Sequence, residues 1–226
     1  MAVQAPTQLF LPGFAARARS YDEGLPAGWE ALQPPSLSAS RGSLHALVDW
    51  LADELARRPA PALIAGHSMG AALAILVAAR DPGTVSGLVL IAPAGLPLSK
   101  PIRACIADFV RHLVAGNHEL GCTVASGAEL LRSPKGTVRL VRALRRLDLR
   151  SQMLRVRQAG TPVTVVGCDT DTLTTRDHCL SAARLLGAGY RELRLDGGHA
   201  WMFGRWPALA TVLAGTPGVG PLAPTP

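Results

Sequence analysis

A Gly-His-Ser-Met-Gly segment at residues 66–70 constrains the fold of this chain more than any other feature. It follows an apolar run at residues 61–65 and precedes a run of small and apolar residues at 69–80. The first run is typical of a buried strand and the second of a helix. A G-x-S-x-G pattern between a strand and a helix predicts a sharp turn that exposes the serine hydroxyl. Gly66 and Gly70 remove the Cβ atoms that would collide in such a turn.

Further strands and helices alternate along the chain. Apolar or alternating runs predict strands at residues 7–11, 29–33, 85–92, 161–167 and 190–195, the last with the pattern of an edge strand. Helical periodicity or composition predicts helices from a Ser43 cap to about Arg58, and at 176–187 and 204–214. Buried strands that alternate with helices predict an α/β fold, with a mostly parallel, doubly wound sheet covered by helices on both faces.

Residues 97–159 interrupt this alternation. They contain helical stretches at about 102–115, 128–131, 137–147 and 151–158 and no convincing strand. Such an insertion between two core strands fits a helical cap over the carboxyl edge of the sheet. We therefore divide the chain into a core at 1–96 and 160–214, a cap at 97–159, and a flexible tail at 215–226 that is rich in proline and glycine.

Composition limits the classes of function. With 226 residues, 48% of them hydrophobic, the chain fits one domain with a full-sized core. Residues 1–6 lack the features of a signal peptide and no apolar stretch is long enough to cross a bilayer, so we expect a cytoplasmic protein without stable membrane insertion. An aromatic content of 4% and the lack of a known motif argue against nucleic-acid binding. The four cysteines lack zinc-site spacing.

The positive charge is concentrated in the cap. The formal net charge is +7, and residues 100–160 hold twelve basic and four acidic residues. A solvated, arginine-rich surface is the simpler interpretation. The alternative is that this face binds an anionic group, such as a phosphopantetheine carrier, coenzyme A or an anionic lipid headgroup.

Ser68 needs a base to act as a nucleophile, and the base needs an acid to orient it. In doubly wound sheets, functional side chains follow the carboxyl ends of strands. His199 follows the strand at 190–195 after two glycines, which makes it the predicted base. Asp169 and Asp171 both follow the strand at 161–167, and either carboxylate could reach the histidine.

An oxyanion hole requires two N–H donors directed at the developing negative charge. The residue after the nucleophile, Met69, supplies one of them at the start of a helix. The loop after the first strand supplies the other through Phe14.

These segments resemble the α/β-hydrolase superfamily over most of residues 7–214. The resemblance is strongest at residues 65–74 and 88–95, and it recurs at 147–174 and at 197–199. It implies an α/β-hydrolase fold with a shortened N-terminus, because relatives usually have two more strands before the first loop. Leu11-Pro12-Gly13 stands where the family usually has His-Gly.

The resemblance also implies roles for single residues. Asp171-Thr-Leu-Thr matches the family's acid motif better than the segment at Asp169 does, so it assigns the acid to Asp171. Ser68 becomes the nucleophile, His199 the base, and Phe14 and Met69 the oxyanion donors.

The expected activity is hydrolysis of a small to medium carboxylic ester through an acyl-enzyme, with a small-molecule substrate and no cofactor or metal. A thioesterase or carrier-linked ester hydrolase that uses the basic cap is the first alternative. A non-catalytic α/β-hydrolase scaffold that serves as a binding protein is the second.

Overall fold

The fold is built on six parallel strands. A computed structural model describes residues 6–59, 61–98, 100–101, 103–105, 107–108, 127–128, 130–203 and 205–215. The strands are β1 (Thr7–Leu11), β2 (Trp29–Ala31), β3 (Ala62–His67), β4 (Val85–Ile91), β5 (Val163–Cys168) and β6 (Gly189–Leu193). Their order across the sheet is β2-β1-β3-β4-β5-β6, and every neighbouring pair is parallel. The predicted parallel sheet is confirmed, and the strand predicted as an edge strand lies at the edge.

Six helices are described around the sheet. They are α1 (Leu44–Ala56), α2 (Met69–Arg80), α3 (Pro134–Arg146), α4 (Arg150–Gln158), α5 (Arg176–Leu186) and α6 (Trp206–Ala214). Short 3-10 helices occupy Ala18–Gly24, Pro82–Thr84 and Gly198–Ala200. Ser43 caps α1 as predicted, since its side chain accepts a hydrogen bond from the Ala46 N–H. Most of the helix predicted at 102–115, and the tail beyond Gly215, lie outside the described residues.

Two buried clusters cover the two faces of the sheet. Because successive side chains of a strand point to opposite faces, Leu9 joins one cluster and Phe10 the other. The first cluster includes buried side chains of α1, α2, α4 and α5. The second includes those of α6 and of Tyr21 in the first 3-10 helix. The core is therefore doubly wound, as the alternation predicted.

Helix α4 belongs to the first cluster. It packs against α2 and α5, and its Met153 and Val156 are fully buried. The domain boundary at residue 159 places this helix in the cap, and that boundary stays a prediction. Within the described part of the chain, no helix combines the length and apolarity that a membrane span requires.

Candidate active site

Ser68 lies in a strained turn between β3 and α2. Its backbone has φ 52° and ψ −109°, a conformation that L-residues rarely adopt. A Cβ at Gly66 would lie 2.6 Å from the Ala71 nitrogen, and one at Gly70 would lie 2.3 Å from the Leu11 carbonyl oxygen. Both glycines are thus required, as the sequence predicted, because only they let strand and helix approach this closely.

The structure brings Ser68, His199 and Asp171 together. His199 Nε2 lies 2.8 Å from Ser68 Oγ, and His199 Nδ1 lies 2.8 Å from Asp171 Oδ2. His199 and Asp171 are each only 3% exposed. They reach Ser68 because β3, β5 and β6 are parallel and end at the same edge of the sheet.

Hydrogen-bond donors to both oxygens stabilise Asp171 as a carboxylate. Its Oδ1 accepts hydrogen bonds from the Leu173 and Thr174 N–H groups at 2.8 and 3.0 Å. Its Oδ2 accepts one from Thr174 Oγ1 at 2.7 Å. Burial alone would raise the pKa of Asp171, but His199 and these donors outweigh it and lower the pKa to about 2. The other predicted acid, Asp169, is exposed and accepts a hydrogen bond from the Leu195 N–H.

Two glycines shape the loop that carries His199. Gly197 and Gly198 have φ values of 121° and 60°, which favour glycine. A Cβ at Gly197 would also lie 2.9 Å from Cα of Trp201. The loop continues as the 3-10 helix Gly198–Ala200, which turns the buried imidazole back toward Ser68.

The two predicted oxyanion donors lie on different elements. Met69 is the first residue of α2, and Phe14 lies in the turn after β1. Phe14 lines the same cavity as Ser68, and both Phe14 and Met69 line a neighbouring cleft. Their role as donors stays a prediction.

An apolar cavity of about 250 Å³ opens beside Ser68. Its lining includes Ser68, His199 and Thr174, residues 94–98 after β4, and residues 130–145 in and before α3. The larger apolar wall residues are Phe14, Leu96, Leu98, Leu130, Val138, Val141, Leu144, Leu173 and Phe203. Arg145 is the one side chain with a permanent charge among the described residues that line it. The cavity can therefore hold an apolar group against the serine hydroxyl.

Comparison with known proteins identifies the family. The family model for the alpha/beta hydrolase family matches residues 8–212. The chain belongs to the alpha/beta hydrolase family. This result confirms the resemblance drawn from the residues around Ser68 and agrees with the strand order of the sheet.

Solved structures share the fold of this alpha/beta hydrolase. A hydrolase from Oleispira antarctica superposes with a TM-score of 0.74 at 16% identity, covering 93% of this chain and 90% of that one. A lipase-esterase related protein from Clostridium acetobutylicum superposes with a TM-score of 0.71 at 13% identity, covering 93% of each chain.

A curated relative matches over a shorter stretch. Human monoglyceride lipase is 46% identical over 63 residues, which are 27% of this chain and 21% of the relative. The match thus spans about a fifth of the relative's length.

Three residues around the hydrolase site were missed by the sequence analysis. Thr174 donates to Asp171 Oδ2 and lies 3.2 Å from His199 Nδ1. His67 Nε2 lies 2.9 Å from the carbonyl oxygen of His199, and Tyr21 Oη lies 3.3 Å from His67 Nδ1. The serine motif drew attention to residue 67 only as part of the turn, and residue 21 carried no local signal.

Proposed function

We propose that this protein is a serine hydrolase that cleaves small to medium carboxylic esters with an apolar acyl group. The observation that carries the proposal is the unbroken hydrogen-bonded series from Ser68 through His199 to Asp171 at an apolar cavity. A nucleophile, a base and an orienting acid in this order are what acyl transfer requires.

Each side chain has a defined role in the proposed reaction. The Asp171 carboxylate accepts the hydrogen of His199 Nδ1, so the lone pair of Nε2 faces Ser68 Oγ. As Oγ attacks the ester carbonyl carbon, Nε2 takes its proton, and Asp171 stabilises the imidazolium that forms. The N–H groups of Phe14 and Met69 stabilise the oxyanion.

His199 then acts as an acid to complete acylation and again as a base in the hydrolysis of the acyl-enzyme. The imidazolium donates its proton to the leaving alkoxide as the tetrahedral intermediate collapses, which releases the alcohol and leaves the acyl group on Oγ. A water molecule then attacks the acyl-enzyme, with His199 as the base that accepts its proton. The carboxylic acid is released and Ser68 regains its hydrogen.

The substrate class follows from the cavity. Its walls are almost entirely aliphatic and aromatic, which favours an apolar acyl chain over a polar one. The local similarity to human monoglyceride lipase covers only 63 residues but supports an ester as the substrate. A series of p-nitrophenyl esters from acetate to laurate would locate the preferred chain length.

A carrier-linked or thioester substrate is the second candidate, because α3 presents a basic face. Arg139, Arg142 and Arg146 are exposed on this helix, and Arg145 reaches the wall of the cavity. An anionic handle bound there would make kcat/KM for an acyl-CoA fall with rising ionic strength. A neutral p-nitrophenyl ester is the control. Equal, flat salt dependence for both substrates would exclude this candidate.

An active-site probe tests the proposed activity against a non-catalytic scaffold. A fluorophosphonate should label the native chain, and Ser68→Ala should abolish labelling and ester hydrolysis together. Asp171→Asn should lower kcat by about 10³- to 10⁴-fold because the imidazole loses its orienting acid. A folded native chain that neither reacts with the probe nor hydrolyses any ester of the series would support the scaffold instead.

A further inference from the structure

The structure assigns a positioning role to the buried pair Tyr21 and His67: together they fix the backbone of His199 so that its imidazole stays in line with Ser68. This inference rests on the proposed function, because it concerns the base of that reaction. It adds a residue pair that the Ser68–His199–Asp171 series does not include.

The first step is the hydrogen bond that joins His67 to the loop of His199. His67 Nε2 lies 2.9 Å from the His199 carbonyl oxygen, and His67 is 4% exposed. A carbonyl oxygen can only accept, so Nε2 must carry the hydrogen. The donor lies at the end of β3, a central strand, and the acceptor directly follows two glycines with positive φ in the loop after β6.

The second step is the tautomer of His67. With the hydrogen on Nε2, Nδ1 keeps its lone pair and accepts a hydrogen bond from the Tyr21 hydroxyl at 3.3 Å. Burial and the neighbouring His199 lower the pKa of His67 to about 3, so the ring is neutral near pH 7. Tyr21 is itself fully buried, with its ring against Phe10 and Phe203.

The third step is that adjacent residues contact both ends of residue 199. Ser68 contacts the His199 imidazole at Nε2, and His67 holds its backbone carbonyl. The rings of His67 and His199 also lie close, with centroids 5.0 Å apart. One turn therefore sets the position of the nucleophile and of the base, which fixes their separation.

Two substitutions of His67 by carboxamide residues separate the proposed positioning role from a role in packing alone. In His67→Gln the amide N–H₂ reaches the place of ring Nε2, so the bond to the His199 carbonyl can form. In His67→Asn the amide is one carbon shorter and cannot reach it. His67→Leu keeps most of the volume and removes every donor.

The experiment compares kcat, KM and the fluorophosphonate labelling rate of these variants with those of the native chain. We expect His67→Leu and His67→Asn to lower kcat and the labelling rate by about 10- to 100-fold, with KM within about twofold. His67→Gln should recover most of the loss. Tyr21→Phe, which removes only the hydroxyl, should lower kcat by about 3- to 10-fold.

A matched control separates positioning from stability. His178 is a second histidine whose Nε2 contacts a backbone carbonyl, that of Pro93 at 3.1 Å. His178→Leu should change the thermal unfolding midpoint as His67→Leu does but leave kcat within about twofold of the native value. If His67→Leu fails to fold, the comparison of Gln with Asn decides, because the two differ only in reach.

The outcomes distinguish this inference from the proposed function. A native chain that neither reacts with the probe nor hydrolyses esters would overturn both. An active native chain with an unchanged kcat in His67→Leu, or with Gln no better than Asn, would overturn the positioning role alone. A loss in kcat that Gln restores and Asn does not would establish it.

Discussion

The backbone of Ser68 stores strain that the surrounding structure holds in place. With φ at 52°, the residue lies in a region that costs about 1–3 kcal/mol for a residue with a Cβ. Besides the helical bond from the Ala72 N–H, two backbone hydrogen bonds fix it, from the Ser68 N–H to the Ile91 carbonyl and from the Ala94 N–H to the Ser68 carbonyl. Both partners lie at or just after the end of β4, so the central sheet itself maintains the turn.

This strain predicts an inverted order of stability at position 68. Alanine is ordinarily more stable than glycine by about 0.5–1 kcal/mol, but here glycine relieves the positive φ. Ser68→Gly should therefore be more stable than Ser68→Ala by about 1 kcal/mol in urea unfolding, and both should be inactive. An alanine variant as stable as the glycine variant would show that the turn carries no such strain.

The buried neutral state of His67 predicts a loss of stability in mild acid. Its pKa is about 3 in the folded chain and near 6.5 when unfolded, so below pH 6.5 the unfolded chain binds a proton that the folded chain does not. The free energy of unfolding should thus fall as the pH decreases from 6.5 to 3. Between pH 7 and 5 this residue accounts for about 2 kcal/mol.

Urea titrations of the native chain and of His67→Gln at pH 7 and pH 5 would measure this contribution to the free energy of unfolding. The variant should lose about 2 kcal/mol less than the native chain over the same interval. Burial also lowers the pKa of His178, which acts in the same direction in both proteins and cancels in the difference. Identical losses would mean that residue 67 does not titrate in this way.

The sequence could predict that Ser68, His199 and Asp171 come together. It could not predict the neighbouring contact between Tyr21 and His67. The local motif predicted Ser68, and its position after the last strand predicted His199. Choosing Asp171 over Asp169 needed the resemblance to a family, because spacing alone allowed both. The Tyr21–His67 contact joins residues 46 positions apart, and it forms only because the first 3-10 helix packs on the sheet face that carries α6.

At the scale of elements, two glycines set how closely α3 approaches the segment before α1. A Cβ at Gly42 would lie 2.1 Å from the Gly136 carbonyl oxygen, and one at Gly136 would lie 2.9 Å from the Leu37 carbonyl oxygen. Gly136 lies in the first turn of α3, whose Val138, Val141 and Leu144 line the cavity. This contact therefore controls the position of a cavity wall.

Gly42→Ala should displace α3 and damage both stability and substrate binding. The new Cβ meets the backbone of α3, which adds about 1–3 kcal/mol to the cost of a left-handed alanine. Gly160→Ala is the matched control, since Gly160 has a similar φ of 72° with no atom within 4 Å of the added Cβ. Thermal unfolding and KM for a medium-chain ester would be measured for both variants. Equal destabilisation and unchanged KM would mean that the Gly42–Gly136 contact does not position α3.

The elements themselves were largely predictable, because most have long and regular apolar patterns. The predicted helix at 69–80 matches α2 residue for residue, and those predicted at 137–147 and 151–158 correspond to α3 and α4 with shifted ends. The strand predicted at 29–33 is shorter, ending at Ala31 before the pair of prolines. The role of α4 could not be read from its sequence, because burial of Met153 and Val156 depends on α2 and α5.

At the scale of the whole molecule, the candidate site lies between a deeply buried helix, α2, and a helix with few buried residues, α3. Helix α2 follows Ser68 and has nine buried residues among its twelve, in the centre of the first cluster. Helix α3 forms a cavity wall and buries only Gly136 and Leu140. Ser68 thus directly precedes the most deeply buried helix described, whereas one wall of the cavity comes from a helix held by few buried side chains.

This difference predicts separate hydrogen-exchange behaviour for the two helices. Amides of α2 should exchange only through global unfolding, because opening this helix exposes the core of the sheet. Amides of α3 should exchange through a local opening of lower free energy and so appear faster at the same pH and temperature.

A fluorophosphonate with an alkyl chain would fill the cavity and add apolar contacts to α3, so its covalent adduct should slow exchange in α3 and leave α2 unchanged. Mass spectrometry of peptides covering 69–80 and 134–146 would measure both. Exchange of α3 as slow as that of α2 before labelling would mean that the two helices open together as one unit.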